Sequence, residues 1–185
     1  MWIVIGLGNP GKEYEKTRHN LGFLTVDVIA ERLSSGFKTS DNYQISEGFM
    51  GSEKLLLIRP LTFMNLSGRA VSRVLSYYKC DVDHLVVIHD DLDIEPGRIK
   101  IKLGGGSGGH KGVESVMSSV GSRDFLRIKI GIGRPDHNNT EGYVLSKFKG
   151  KEEELISSTV IDAADAVESI VSDGYEKAMN IFNAD

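Results

Sequence analysis

Cysteine is almost missing from the sequence, since Cys80 is the only one among 185 residues. A single thiol excludes a disulfide framework within the chain, and it excludes the clusters of thiolates that hold structural zinc. Cys80 stands at the end of a helical pattern, so we interpret it as a packing residue and not as a nucleophile. A chain of this length can bury a sizeable core without such cross-links.

Long hydrophobic runs are missing as well. Hydrophobic residues make up 40% of the chain, yet no stretch approaches the roughly 20 apolar residues that a membrane-spanning helix requires. From Met1 the chain enters a short apolar segment directly, without the basic region and the small-residue cleavage site of an export signal. We therefore expect a cytoplasmic protein that has no contact with a membrane.

The chain has no overall excess of positive charge, since its formal net charge is −4. The charges are segregated, however: residues 97–151 contain 11 Lys and Arg against 4 Asp and Glu, which leaves 11 basic and 22 acidic residues elsewhere. One interpretation is ordinary variation of a solvated surface. The other is a local basic surface for phosphate groups, because attraction to nucleic acid depends on the local potential and not on the overall charge.

Hydrophobic periodicity predicts strands that alternate with helices. Short apolar or alternating runs, which are typical of strands, occupy residues 2–7, 43–49, 54–58, 85–89, 98–103 and 125–132. Apolar positions spaced by three and four residues predict helices over 21–33, 66–79, 111–120, 152–171 and 174–182. This order predicts an α/β fold, a single three-layer domain over residues 1–185 with a central mixed β-sheet flanked by helices. The polar segment 135–142 is expected to be a mobile loop.

The segment from Gly6 to Gly11 matches the G-x-G-x-x-G pattern of dinucleotide-binding proteins and follows a predicted strand. In such proteins the glycine turn leads directly into a helix whose N-terminus binds the pyrophosphate. Here Pro10 and a polar stretch intervene before the helical pattern begins at Leu21. The context therefore does not favour a nicotinamide or flavin site, and we interpret the segment as a polar loop at the carboxyl end of the first strand.

This polar loop leads to His19, and a carboxylate that can partner it follows a later strand. Asp90 directly follows the predicted apolar strand 85–89. In α/β sheets, ligands bind at the carboxyl ends of strands. Strand alternation points His89 and Asp91 to one face and Asp90 to the other, so these three do not converge as metal ligands. A carboxylate that accepts an imidazole N–H fixes the tautomer and stabilises the imidazolium that forms when the ring takes a proton.

Glycines crowd the segment from Gly104 to Gly112, between a predicted strand and a predicted helix. The segment is not a phosphate-binding Walker loop, because His110 separates Gly109 from Lys111 and no Ser or Thr follows the lysine. Two interpretations remain. The segment is either a flexible loop or a backbone that approaches a ligand closely, with free N–H groups and a lysine near the helix start.

Taken in order, these segments resemble bacterial-type peptidyl-tRNA hydrolases. The resemblance covers residues 1 to about 148 and rests on Gly6-Leu7-Gly8-Asn9-Pro10-Gly11, Thr17-Arg18-His19-Asn20, Pro60-Leu61-Thr62-Phe63-Met64-Asn65-Leu66-Ser67-Gly68, His89-Asp90-Asp91-Leu92-Asp93, Leu103 to Gly112 and Ile130-Gly131-Ile132-Gly133-Arg134-Pro135. Each segment alone is a weak signal, and their common order makes the match specific. It implies an esterase that releases peptides from the 3′ ribose of tRNA.

The resemblance also implies roles for individual residues. His19 is the expected general base, and Asp90 is expected to orient it. The expected contacts with the peptide, the ester and the 3′ end of the tRNA come from a group of polar and aromatic side chains, Asn9, Tyr14, Phe63, Asn65 and His110. Lys102, Arg127 and Lys129 match family positions that bind phosphate, or their neighbours, and all three lie inside the basic segment 97–151.

One position departs from the family pattern. Many members carry Asn directly after the Gly-Gly-His element, where this chain has Lys111. A lysine can reach a phosphate or a carbonyl oxygen, but it has no acceptor atom and cannot copy both hydrogen bonds of an amide. We expect Lys111 to contact the substrate as a cation.

The residues themselves favour hydrolysis by water. A histidine with a carboxylate partner can activate water near neutral pH, and the Asn65 amide is a candidate donor to the carbonyl oxygen of the ester. No Ser or Cys stands in a nucleophile-elbow pattern, so we expect direct attack by water. The alternative is an RNA-binding module on the same fold that has lost its chemistry.

The expected partner is peptidyl-tRNA, including that from stalled ribosomes, bound through its acceptor stem and its 3′ end. We expect a monomer that needs no cofactor and no metal.

Overall fold

The structure is a computed structural model that describes residues 1–136 and 139–184. The strands in this part of the chain are β1 (Trp2–Gly6), β2 (Lys38–Thr39), β3 (Tyr43–Met50), β4 (Glu53–Pro60), β5 (Leu85–Asp91), β6 (Ile99–Leu103) and β7 (Leu126–Gly131). The helices are α1 (Leu21–Arg32), α2 (Ser67–Tyr78), α3 (Lys111–Val120), α4 (Thr140–Val144), α5 (Lys151–Asp173) and α6 (Tyr175–Phe182).

The described strands form one mixed sheet in the order β2-β3-β4-β1-β5-β7-β6. Its centre is parallel, because β1 pairs with β4 and with β5, and β5 pairs with β7, in the same direction. The two sides are antiparallel, through β2-β3-β4 on one side and β6-β7 on the other. The carboxyl ends of β4, β1, β5 and β7 therefore meet at one edge of the sheet, where α/β proteins place their sites.

Helices cover both faces of this sheet. Alternate strand residues point to opposite faces, so Val4 packs in a core with apolar residues of α1, α5 and α6, whereas Ile3 and Ile5 pack in a second core with residues of α2 and α3. The predicted fold class, α/β with a central mixed sheet between helical layers, is confirmed. No helix in the described ranges is both long enough and apolar enough to cross a membrane.

Close packing of α1 sets the position of the residues just before it. A Cβ added to Gly22 would lie 2.3 Å from the backbone nitrogen of Leu7 and 2.5 Å from the carbonyl oxygen of Ile88. Only a glycine lets the helix backbone approach the ends of β1 and β5 this closely. The turn Arg18–Asn20, which precedes α1, is thereby held at the carboxyl edge of the sheet.

The predicted loop over 135–142 is only partly a loop. Residues 137 and 138 lie outside the described residues, and helix α4 begins at Thr140, so the prediction is wrong for residues 140–142. The Asn139 side chain caps this helix by accepting a hydrogen bond from the N–H of Gly142 at 2.9 Å. A five-residue helix is too short to show apolar periodicity, which is why the sequence pattern missed it. The pattern also missed the two-residue strand β2.

Candidate active site

A cleft of about 640 Å³ opens at the carboxyl edge of the sheet. Its walls come from the loop after β1, the turn before α1, the turn after β4, the end of β5, the glycine loop before α3, and α4. The lining includes eight of the residues singled out in the sequence, Asn9, Tyr14, His19, Phe63, Asn65, Asp90, His110 and Lys111. The remaining three, Lys102, Arg127 and Lys129, are not part of the lining.

His19 and Asp90 are joined by hydrogen bonds. Nδ1 of His19 lies 2.9 Å from Oδ1 and 3.0 Å from Oδ2 of the carboxylate. An ionised carboxylate only accepts hydrogen bonds, so Nδ1 of His19 carries the ring proton and Nε2 carries the lone pair. Asp90 is buried and His19 borders the cleft, so the carboxylate sits behind the ring and the ring faces the cleft.

A second histidine also donates to Asp90. Nε2 of His110 lies 2.9 Å from Oδ1 of Asp90. Nδ1 of the same ring accepts hydrogen bonds from the N–H groups of Gly112 and Val113 at 3.2 and 3.3 Å, so the ring caps α3. Because Nδ1 is an acceptor, the proton of His110 must be on Nε2. The sequence placed His110 near the substrate but did not predict its bond to Asp90.

The cap at α3 bears on one of the two interpretations of the glycine loop, a backbone with free N–H groups near the helix start. The N–H groups of Gly112 and Val113 are not free, because His110 has taken both of them. The dipole of this helix end therefore polarises His110 and, through it, Asp90.

Asp90 is ionised in this setting. Burial by itself would raise the pKa of its carboxyl, but electrostatic attraction to His110 and His19 and their hydrogen bonds act the other way, and the net shift of the pKa is downward. The ligand atoms of His19, Asp90 and His110 lie within 4.8 Å of one another, a spacing that a metal ion would fit. The capping bonds oppose this use, because they keep the proton on Nε2 of His110 and leave no lone pair there.

His89 contacts both His110 and the backbone of Asp90. Its ring packs edge-on against that of His110, with 4.8 Å between centroids, and its Nδ1 donates to the backbone oxygen of Asp90 at 2.7 Å. The ring is 1% exposed, and Nε2 has no hydrogen-bond partner among the described residues. Burial, helped by His110, lowers the pKa of His89 well below its usual value. His89 is therefore neutral at physiological pH.

The neutral state of His89 predicts a pH-dependent stability. Below pH 6.5, its ordinary pKa, the unfolded chain binds a proton at this residue and the folded chain does not. The free energy of unfolding should then fall with decreasing pH by up to about 1.4 kcal/mol per pH unit from this group. Urea titrations between pH 5 and 8 should show a shallower slope for His89→Asn, which keeps an N–H donor. Equal slopes would contradict the assignment.

Asn9 is fixed by two neighbours. Its Oδ1 accepts the N–H of Met64 at 2.8 Å, which leaves the amide Nδ2 as a donor beside the cleft. Its backbone is held by Asn20, whose Oδ1 accepts the Asn9 N–H at 2.8 Å and whose Nδ2 donates to the Asn9 carbonyl at 2.9 Å. Asn20 is itself buried, at 1% exposure, and braces Asn9.

Asn65, Phe63 and Tyr14 border the cleft around this centre. Asn65 lies in the turn Met64–Leu66 ahead of α2, is exposed, and makes no side-chain hydrogen bond within the described part of the chain. Phe63 is 59% exposed, which excludes a role in the core. An exposed aromatic face and an unpaired amide at the mouth are suited to a nucleobase and a carbonyl oxygen.

The three predicted phosphate residues have different environments. Arg127 is 1% exposed, and its guanidinium donates to the carbonyl oxygens of Gly106, at 2.9 Å, and of Gly104. Burial of the group lowers its pKa. The guanidinium of Arg127 is buried and already donates to the glycine loop. This environment disagrees with the expected direct contact of Arg127 with phosphate. The sequence could not show this, because charge counts do not distinguish a buried arginine from an exposed one.

Lys129 and Lys102 lie on the same sheet face as Arg127, since paired residues of β6 and β7 point to one side. Lys129 is mostly buried and forms an ion pair with Asp91 at 2.7 Å. Lys102 is exposed and has no ion pair among the described residues, and its Nζ lies beside the glycine loop, 3.0 Å from where a Cβ on Gly105 would be. Lys102 is thus the cation of this group that is open to a ligand.

Lys111 is the first residue of α3 and stands at the rim of the cleft. Its side chain is 67% exposed, and Nζ lies 3.9 Å from a carboxylate oxygen of Glu141 in α4. The ammonium group therefore faces the opposite wall of the mouth. It makes no contact with His19 or Asp90.

A family model described as peptidyl-tRNA hydrolase matches residues 3–185. The chain belongs to the peptidyl-tRNA hydrolase family. Relatives in this family include the peptidyl-tRNA hydrolases of Thermodesulfovibrio yellowstonii, 44% identical with 99% of each chain covered, and of Lactococcus lactis subsp. lactis, 45% identical with 98% of each chain covered. Family membership confirms the resemblance that the motifs carried.

A solved structure agrees with this assignment to the family. The crystal structure of peptidyl-tRNA hydrolase from Acinetobacter baumannii is similar to this chain with a TM-score of 0.94 and 34% identity. The match covers 100% of this chain and 95% of the other. The peptidyl-tRNA hydrolase fold therefore extends over helices α5 and α6, which lie beyond the motifs that carried the resemblance.

Proposed function

We propose that this chain hydrolyses the ester bond between a peptide, or an N-blocked amino acid, and the 3′ ribose of tRNA. The observation that carries the proposal is the pair His19–Asp90. A buried, ionised carboxylate holds Nδ1–H of a histidine whose other ring nitrogen is free at the edge of a cleft. Membership in the peptidyl-tRNA hydrolase family supports the choice of substrate.

In the proposed reaction Nε2 of His19 takes a proton from a water molecule as the water oxygen attacks the ester carbonyl. Asp90 keeps the ring in the required tautomer and stabilises the imidazolium. The imidazolium then returns the proton to the departing ribose oxygen. No nucleophilic side chain takes part, so the peptide leaves with a free carboxylate and the tRNA with a free 3′-terminal ribose hydroxyl.

Negative charge develops on the carbonyl oxygen during the attack and needs donors at that point. The Nδ2 group of Asn9 and the unpaired amide of Asn65 border the cleft and can donate there. Phe63 and Tyr14 offer aromatic faces on which the 3′-terminal base can stack. Lys111, at the rim, is suited to a phosphate near the 3′ end.

The acceptor stem is proposed to lie along the β6 side of the glycine loop, where Lys102 is exposed. Arg127 supports this surface by holding the loop carbonyls, and Lys129 lies beside it in its pair with Asp91. We further propose a cytoplasmic monomer that also acts on peptidyl-tRNA left by stalled ribosomes. One chain supplies every group that the reaction uses.

The test is incubation of the protein with N-acetyl-aminoacyl-tRNA and with the same aminoacyl-tRNA unblocked. We expect release of the acylated amino acid from the first substrate and little release from the second. Binding of both tRNAs without release would favour the alternative, an RNA-binding module that has lost its chemistry.

Lys102→Ala is expected to weaken tRNA binding and to flatten its dependence on salt. Each lost phosphate contact removes about one unit of counterion release from the slope of log K against log salt. The measurement is the KM for N-acetyl-aminoacyl-tRNA, and the Kd, at two salt concentrations. The matched control is Lys38→Ala, because Lys38 is an exposed strand lysine at the opposite edge of the sheet. If both variants keep the parental salt slope, the surface around Lys102 does not bind the tRNA backbone.

A further inference from the structure

Arg18 directly precedes the proposed general base in the turn Arg18–Asn20, yet it does not line the cleft. The residue is 7% exposed. Arginine is seldom buried unless its charge is paired. The groups around Arg18 therefore indicate what this side chain holds in place.

The guanidinium of Arg18 lies between two aromatic rings. Its Cζ is 4.5 Å from the ring centroid of Tyr143 and 4.4 Å from that of Phe148. Nη2 donates to both carboxylate oxygens of Glu152, at 2.7 and 2.8 Å, whereas Nε and Nη1 have no hydrogen-bond partner among the described residues. A planar cation that lies over two aromatic rings and pairs with a carboxylate at one end is a setting that lysine does not reproduce.

The main chain is attached at the same place. The N–H of Arg18 donates to the carbonyl oxygen of Ser146 at 3.0 Å. Thr17 forms an isolated antiparallel bridge with Lys147. The turn that carries His19 is therefore joined to the segment 143–152 through both backbone and side chain.

The attached segment is also a wall of the cleft. Helix α4 ends at Val144, and Val144 and Leu145 line the cleft. Tyr143, whose ring lies 4.5 Å from Cζ of Arg18, is the neighbouring residue of the same helix. A substrate group that packs on Val144 and Leu145 therefore contacts the same segment that binds Arg18.

We propose that Arg18 is a positioning residue that fixes the His19 turn to the α4 wall of the cleft, so that substrate contact with this wall and alignment of the general base are coupled. The inference rests on the proposed hydrolysis. The inference goes beyond the proposed hydrolysis because it assigns a role to Arg18, a buried residue outside the cleft. A general contribution to stability is the competing explanation, and the experiment must separate the two.

The main variant is Arg18→Lys, which keeps a positive charge for Glu152 and loses the planar group between the rings. We expect kcat on N-acetyl-aminoacyl-tRNA to fall about tenfold or more, since a misplacement of about 1 Å can cost on the order of 10² in rate. KM should stay close to that of the parent. Arg32→Lys is the matched control, because Arg32 pairs with Asp165 at the surface and should give parental kcat.

The second measurement is the downfield ¹H NMR spectrum. The Nδ1–H of His19 and the Nε2–H of His110 both donate to Asp90, so the two protons give an internal comparison. If Arg18 positions His19, Arg18→Lys should broaden the Nδ1–H resonance of His19 and leave the Nε2–H resonance of His110 unchanged. Tyr143→Leu removes one ring over the guanidinium, together with the hydrogen bond from the Tyr143 hydroxyl to the Ile132 carbonyl oxygen. It should have the same selective effect, which Tyr143→Phe, losing only the hydrogen bond, should not show. Tyr143→Leu replaces Arg18→Lys if that protein does not fold.

Parental kcat in Arg18→Lys, or loss of both resonances together, would overturn the proposal and leave Arg18 as a general stabiliser. For Tyr143→Leu, parental kcat with a sharp His19 resonance would overturn it equally. If the parent releases nothing from N-acetyl-aminoacyl-tRNA, the proposed function fails. The selective broadening would still decide whether Arg18 positions His19.

Discussion

His19→Ala is expected to abolish the release of peptide from peptidyl-tRNA while tRNA binding is retained. The ring supplies the free imidazole nitrogen at the cleft, because both nitrogens of His110 are occupied. A positioned general base contributes roughly 10² to 10⁴ in rate, so kcat should fall by at least that range. The proposed phosphate contact at Lys102 lies outside the cleft, so the Kd for tRNA should change little.

Single-turnover rates with saturating enzyme measure the chemical step of this variant directly, and a filter-binding Kd reports the retained affinity. His84→Ala is the matched control, because His84 also pairs with an aspartate, Asp83 at 3.0 Å, but at the surface and outside the cleft. Its rate should equal that of the parent. A His19→Ala protein that still turned over near the parental rate would require a different base.

Much of the site could be predicted because its parts lie at strand ends. In a parallel sheet the segments after β1, β4 and β5 must come together. Polar residues at or just after the ends of β1 and β5, such as Asn9 and Asp90, are therefore candidates for one site from the amino-acid pattern, and the family resemblance adds Asn65 after β4. A histidine before the first helix and a carboxylate at the end of a later strand suggest the pair that the fold joins.

The features of the site that the sequence could not predict depend on the direction in which individual side chains point. The sequence predicted His110 as a substrate contact but not its bond to Asp90, which depends on the cap that orients the ring. Arg127 and Lys102 stand opposite each other on paired strands and count equally as charges. One is buried under the glycine loop and the other is exposed, and only the path of the loop decides which.

The role of Arg18 was hidden for a similar reason. In the sequence it belongs to the same four-residue motif as His19 and Asn20. Its partners come more than 120 residues later, in a segment that follows the predicted loop 135–142. Short helices and aromatic contacts across such distances have no periodic signature, so they appear only once the chain is folded.

Asp90→Asn is expected to lower kcat by roughly 10² to 10⁴ with little change in KM, by analogy with the aspartate of hydrolytic triads. Oδ1 of Asp90 accepts from both His19 and His110, at 2.9 Å each, and Oδ2 accepts from His19 at 3.0 Å. An asparagine carbonyl can replace Oδ1, but its NH₂ group would then face Nδ1–H of His19 as donor against donor. The ring would favour the other tautomer, with the proton on Nε2 and no lone pair for water. The imidazolium would also lose its counter-charge.

The kinetic comparison uses N-acetyl-aminoacyl-tRNA, with Asp83→Asn as the control because Asp83 forms the corresponding aspartate–histidine pair at the surface. Because His110 keeps its cap on α3 in either case, the variant should retain the fold and the bond between Nε2–H of His110 and the residue at position 90. The downfield spectrum should therefore keep the His110 proton and lose or shift that of His19. A variant with an unchanged His19 resonance and near-parental kcat would mean that the carboxylate neither orients the base nor stabilises its charge, and the mechanism would have to place the general base elsewhere in the cleft.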